Sequence, residues 1–177
     1  MADKSDARTF NLQFKPVEIP RLAKRYGPGQ DDLALAAGQR IRGGQYTRKN
    51  LEEIFEWKTK GRGRSRLGRN SDEEIVDALA LAVNAKRARA AIAVLTGLHG
   101  VDVPVASAIL TAIDPERFTV IDFRALGALG IKRTSRSVSF YLDYLAACRG
   151  LAKKYHATLR DLDRALWQWS DEAGARQ

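Results

Sequence analysis

The chain has 177 residues, with 30 Lys plus Arg against 21 acids and a net charge of +9, enough length for one sizeable core and a balance that suits a polyanion partner. One cysteine, Cys148, excludes a disulfide framework within the chain and a four-cysteine iron–sulfur site, and two distant histidines, His99 and His156, leave no zinc site legible. No apolar run approaches the roughly 18 residues of a membrane span, and the N-terminus lacks a signal-peptide core, so the reading carries no membrane, metal or cofactor and a cytoplasmic location.

Residues 1–18 are polar, with Phe10, Leu12 and Phe14 alternating, and read as an N-terminal arm packed on a body formed by 19–177, or as a frayed tail. Pro20 opens a short helix over Arg21 to Tyr26, stopped by Gly27-Pro28-Gly29. Asp31-Asp32 begins the next, with Leu33, Leu35, Ala36, Ala37 and Ile41 on its buried side and an end at Gly43-Gly44. Thr47 caps a helix over Arg48 to Lys60, whose stripe Leu51, Ile54, Phe55 runs out into Lys58 beside Trp57. Residues 58–69 then hold six basic side chains, no acids and three glycines, either a solvated loop or one that moulds itself to a phosphate backbone.

Ser71 to Glu74 is a capping box, opening a helix through Ile75, Val76, Leu79, Ala80 and Val83. Ala85 to Leu98 follows, turning Ile92, Leu95 and Leu98 inward. A tight turn at Gly97 to Asp102 leads to a helix starting at Val103 or Pro104, where a missing N–H is tolerated, and running to Ile113. Phe118 to Ile121 is extended, and Asp122 opens a helix ending at Gly130. Ser135 or Ser137 caps a long amphipathic helix to about His156, with Val138, Tyr141, Leu142, Leu145 and a buried Cys148 on one side. Thr158 caps a last helix carrying Leu159, Leu162, Leu166 and Trp169, with fraying expected from Asp171. The whole reads as an all-α compact bundle of about eight helices.

Leu98 to Leu110, with the pattern Leu-x-Gly-Val-x-x-x-x-Ala-x-x-Ile-Leu, followed by Asp122 inside the apolar run Val120 to Phe123, resembles the helix-hairpin-helix DNA glycosylase superfamily. The resemblance covers about Leu95 to Leu129 and places the hairpin motif at about 88–113. It implies that the hairpin grips the DNA backbone and that Asp122 is the catalytic carboxylate. The partner it implies is double-stranded DNA; a monomer with a nucleoid-associated location is expected beside it. Two positions depart from the family pattern. Asp102 stands where the second hairpin Gly is usual, and Pro104 stands where lyase-competent members carry a Schiff-base Lys, so a monofunctional enzyme is expected.

Several residues carry the functional reading beside a bland one. Asp122 stabilises charge on the deoxyribose, or is only a helix N-cap. Gly100, Val101 and Val103 offer backbone N–H groups to a phosphate, or form an ordinary turn. His99 at the turn tip contacts DNA or simply faces solvent. Lys60, Arg62, Arg64, Arg66, Arg69 and Arg124 are phosphate contacts or solvated cations. Trp57 and Tyr46 wall a pocket for a flipped base with Lys58 beside it, or are core aromatics. Trp167 and Trp169 read as core or as an apolar surface. The leading reading is excision of a modified base; the other class is a DNA-binding module that keeps the fold without catalysis. Oxidised, alkylated and deaminated bases all stay open, as do host repair and defence against phage.

Overall fold

A computed structural model describes residues 9–27, 29–132 and 135–174. Arm residues 1–8, Pro28 of the expected helix stop and the extreme C-terminus lie outside the described residues. Among the described residues the chain is all helix and connection, with no strand. Ten α-helices follow in order: α1 Ile19–Arg25, α2 Asp32–Arg42, α3 Arg48–Thr59, α4 Arg64–Leu67, α5 Asp72–Asn84, α6 Ala88–Leu95, α7 Val103–Ile113, α8 Phe123–Ala128, α9 Val138–Lys154 and α10 Leu159–Gly174. Eight of them have seven residues or more, which matches the expected number.

α7 is the axle. Residues 105–113 of it are all buried, and α2, α3 and α6 pack around it. Gly38 of α2 allows the closest crossing: a Cβ there would lie 1.9 Å from the Ala112 carbonyl oxygen. That contact corrects the expected face of α2. The buried stripe is Ala34, Ala37, Gly38 and Ile41, while Leu33 is 77% exposed, because small side chains let two backbones meet. In α5 the stripe is likewise Ile75, Ala78, Leu79 and Ala82, with Val76 turned outward.

The caps follow the sequence closely. The Thr47 hydroxyl accepts from the Asn50 N–H, and Ser71 with Glu74 forms the reciprocal capping box. Ser137 caps α9 and the Thr158 hydroxyl accepts from the Asp161 N–H. The described part of the arm is docked on the body: the Asn11 N–H donates to the Leu129 carbonyl (3.1 Å) and the Gln13 N–H to the Ala128 carbonyl (2.9 Å). Phe14 stacks on Trp169 at 5.8 Å and Phe10 meets the Phe140 and Tyr144 rings. α10 does not fray at Asp171 but continues to Gly174. No helix among the described residues is long and apolar enough to cross a membrane.

Candidate functional site

Asp122 is delivered by a short extended segment that three side chains pin. The Tyr141 and Tyr144 hydroxyls of α9 donate to the Thr119 and Val120 carbonyls (3.2 and 2.7 Å), and the Ile121 N–H donates to Ser107 Oγ of α7 (3.1 Å). Burial raises both tyrosine hydroxyls above the ordinary phenol pKa, so they stay protonated donors. Asp122 then caps α8, its Oδ1 accepting from the Ala125 N–H at 2.9 Å. Its Oδ2 lies 3.2 Å from Lys58 Nζ at the last turn of α3. Both side chains are largely shielded, 20% and 14% exposed. Lys58 and Asp122 are 64 residues apart in sequence and meet at one place.

That place is the mouth of a cavity of about 140 Å³. Its volume is close to the ~150 Å³ that holds a benzene ring. Trp57, Tyr26 and Trp167 wall it. The floor is a buried charge cluster. Arg160 pairs with Asp31 and with Asp163, and Arg164 Nη2 reaches both oxygens of Asp31 at 3.1 Å. Asp31 and Asp163 are 1% and 5% exposed, so these charges hold only as a set. Burial pushes the Asp163 carboxyl above its ordinary value against the pull of Arg160, and the charge of Asp122 adds to the rise. Burial works against the Arg160 charge as well, but Asp163 and Asp31 outweigh it and raise its pKa. Arg160 Nε remains buried without a hydrogen-bond partner.

Outside the cavity a groove of about 660 Å³ runs past Lys58, Asp122, Phe123 and Trp167 to the α6–α7 turn. Lys60, Arg62 and Arg66 line one side; Gly100, Asp102 and Pro104 line another, with Arg136 beside them. The stretch 58–69 is therefore not a loose loop. Lys60 ends α3 in the left-handed region (φ 53°), and Arg64–Leu67 forms the single turn α4, held by the buried Leu67 and Asn70. Asn70 also clamps the α6–α7 turn, accepting from the His99 N–H (2.8 Å) and donating to its carbonyl (3.0 Å). Gly100 (φ 80°) passes so near that a Cβ would lie 2.9 Å from the Leu67 N.

The sequence-derived candidates divide accordingly. Asp122, Lys58 and Trp57 converge on the cavity, and Lys60, Arg62, Arg66, Gly100 and Arg124 line the groove. Tyr46 does not join the cavity. It precedes α3, at the opposite end of that helix from Trp57, and packs on the core edge. His99 is exposed outside the groove, as is Arg69, and Arg64 turns to Glu52 at 3.6 Å. Val101 is buried and its N–H donates to the Leu98 carbonyl (3.2 Å), so it is used within the turn. Val103 is also buried but opens α7, where first-turn N–H groups lack intrahelical partners. Arg124 is drawn to Asp171 (2.6 Å), its guanidinium 4.7 Å from the Trp167 ring centroid.

Sequence reasoning missed Tyr26, Asp31, Arg160, Asp163, Arg164 and Trp167. In sequence Asp31 reads as a helix-start acid; its side chain makes no cap bond and is drawn instead to two arginines of α10. The spacing Arg160, Asp163, Arg164 on one helical face was the available signal. Arg136 was missed too: it neutralises Asp102, with Nη1 2.7 Å from Oδ2, while Asp102 Oδ1 caps α7. Among the described residues no three His, Cys, Asp or Glu side chains converge as a metal site requires. What the fold and the site define is an all-α protein with an acid–lysine pair between an aromatic cavity and a cationic groove. Compared with models of known protein families, with curated proteins and with solved structures, the chain matches none.

Proposed function

We propose that this chain is a DNA glycosylase-like enzyme that draws a damaged or modified base out of double-stranded DNA and hydrolyses its N-glycosidic bond. The observation that carries the reading is the position of Asp122, a largely shielded carboxylate at the mouth of a ring-sized aromatic cavity that opens onto a cation-lined groove. A flipped base needs flat walls, and Trp57 and Trp167 supply them. The phosphate backbone needs cations, and Lys60, Arg62 and Arg66 line the groove beside the cavity.

In the proposed reaction the C1′–N bond breaks with its electron pair leaving on the base nitrogen. Positive charge then gathers on the deoxyribose next to Asp122, which stabilises it and orients a water whose oxygen bonds to C1′. The water's proton is released to solvent, and the product is an abasic site. Pro104 stands where a lyase-competent relative would carry an amine, so the strand is left intact. The N-cap bond to Ala125 holds the carboxylate in one orientation, and preorganised charge of this kind is the most effective form of electrostatic catalysis.

A second reading also has an observation behind it. Both Asp122 oxygens already have partners, the Ala125 N–H and Lys58, which suits a DNA-binding protein in which Asp122 only caps α8. Incubation of a panel of duplexes, each bearing one modified base, with wild type and Asp122→Asn separates the two. The enzyme reading expects alkali-dependent strand cleavage on one class of base, reduced about 10²–10³-fold by Asp122→Asn, the size of effect that loss of one preorganised electrostatic group produces. Salt-sensitive binding by both proteins with no excision on any duplex would favour the binding module.

A further inference from the structure

We infer that the cavity accepts a neutral six-membered base presenting carbonyl oxygens, a 2,4-dioxopyrimidine such as uracil, and rejects cationic N-methylated bases. The inference rests on the glycosylase reading above and names the substrate class of that site.

Three observations carry it. The first is size: about 140 Å³ matches one six-membered ring, as the ~150 Å³ cavity that holds benzene does. The second is the state of the aromatic walls. A cationic base is held by open ring faces, but each ring here already has a guanidinium over it. Arg160 lies 5.7 Å from the Trp57 centroid and 5.8 Å from that of Tyr26, Arg164 lies 5.8 Å from Tyr26, and Arg124 lies 4.7 Å from Trp167. A guanidinium thus already charges the surroundings of each ring, and four cations, Lys58, Lys60, Arg160 and Arg164, stand in the lining and floor against three acids, Asp122, Asp163 and Asp31.

The third is hydrogen-bond supply. Each carboxylate already has a cation beside it: Asp31 two arginines, Asp163 Arg160 at Oδ2, and Asp122 Lys58 at Oδ2 with the Ala125 N–H at Oδ1. Donors are left over. Arg164 uses Nε and Nη2 on Asp31, which leaves Nη1, and Lys58 uses one of its three N–H groups on Asp122. A donor-rich, net-cationic cavity is complementary to carbonyl oxygens and repels a fixed positive charge.

Two duplexes that differ at one nucleotide test this: deoxyuridine or 3-methyldeoxycytidine opposite dG, rings of the same size, the second cationic at neutral pH. Wild type in single turnover is expected to release uracil at least ten-fold faster; equal or faster release of 3-methylcytosine would overturn the inference while leaving the glycosylase reading intact. If neither base is released, the nucleosides are titrated against the tryptophan fluorescence of the whole protein, since Trp57 and Trp167 line the cavity. Quenching by uridine and not by 3-methylcytidine would support the cavity's preference and locate the failure in the catalytic reading. Equal quenching, stronger quenching by 3-methylcytidine, or none by either would overturn it.

Discussion

The N-termini of α7 and α8 are built alike and differ in their surroundings. Each is capped by an Asp whose Oδ1 accepts the N–H three residues on, Val105 at 3.1 Å and Ala125 at 2.9 Å. Each Asp sets its Oδ2 on a cation from a distant element, Arg136 at 2.7 Å and Lys58 at 3.2 Å. The Asp102 pair stands in solvent, where such a contact contributes about 0–1 kcal/mol. The Asp122 pair is largely shielded, at a cavity lined by Trp57 and Trp167 with a buried ionic floor. The lesson is that the capping device sets orientation only. What lies beyond the second oxygen decides whether the carboxylate is a surface cap or a group able to act on a ligand.

The largest effect is expected where the cavity side departs most from the solvent side. Arg160→Leu strips Asp163 of its ion-pair partner and Asp31 of one of two, so urea unfolding should show a loss of about 3–5 kcal/mol, the cost of orphaning a buried charge. The equivalent change on the solvent side, Arg136→Leu, should shift stability by less than about 1 kcal/mol. Comparable losses from both would erase the distinction between the two caps.

Asp102→Ala comes next, with a loss of about 1 kcal/mol from the missing N-cap. The same change frees Arg136 beside the groove. If the groove binds duplex, log affinity against log salt, read by fluorescence anisotropy, should steepen by about one unit. Lys60→Ala, Arg62→Ala and Arg66→Ala should each flatten that slope by about one unit, whereas Arg64→Ala and Arg69→Ala should leave it unchanged.

The smallest effect is in pH. Burial holds the Asp163 pKa above the ordinary carboxylate value of about 3.9. The native state therefore keeps a proton there that the unfolded chain has already released. Its contribution to stability is present below the ordinary value and is lost as pH rises through the raised one. Thermal unfolding across that window should show this fall in wild type, and Asp163→Asn should flatten it.

The helical class, the caps at Thr47, Ser71, Ser137 and Asp122, and the turn at Gly97 to Asp102 were legible because each depends on neighbours within four residues. Trp57 and Lys58 were legible as a candidate base pocket but not as neighbours of Asp122, since nothing local links residues 64 apart. The cavity floor was invisible for the same reason: Asp31 meets Arg160 across 129 residues, and on α10 its partners look like a solvated charged face. α4 was hidden because Leu67 is the sole apolar residue in a basic, glycine-broken stretch, and its burial depends on the core beneath it. On α2 hydrophobicity misled, because the crossing at Gly38 selects small residues over Leu33.

The most direct test of the account sets the two caps side by side. Asn is as good an N-cap as Asp, so Asp102→Asn should melt near wild type, while Asp122→Asn should stay folded with a lower melting temperature because the shielded Lys58 loses its carboxylate. Single-turnover release of the excised base, measured for the two variants and wild type on the duplex that wild type processes, should then separate them. Asp102→Asn should stay within a few-fold of wild type, and Asp122→Asn should fall by about 10²–10³-fold. Equal rates for the two variants would contradict the account and reduce Asp122 to a second surface cap.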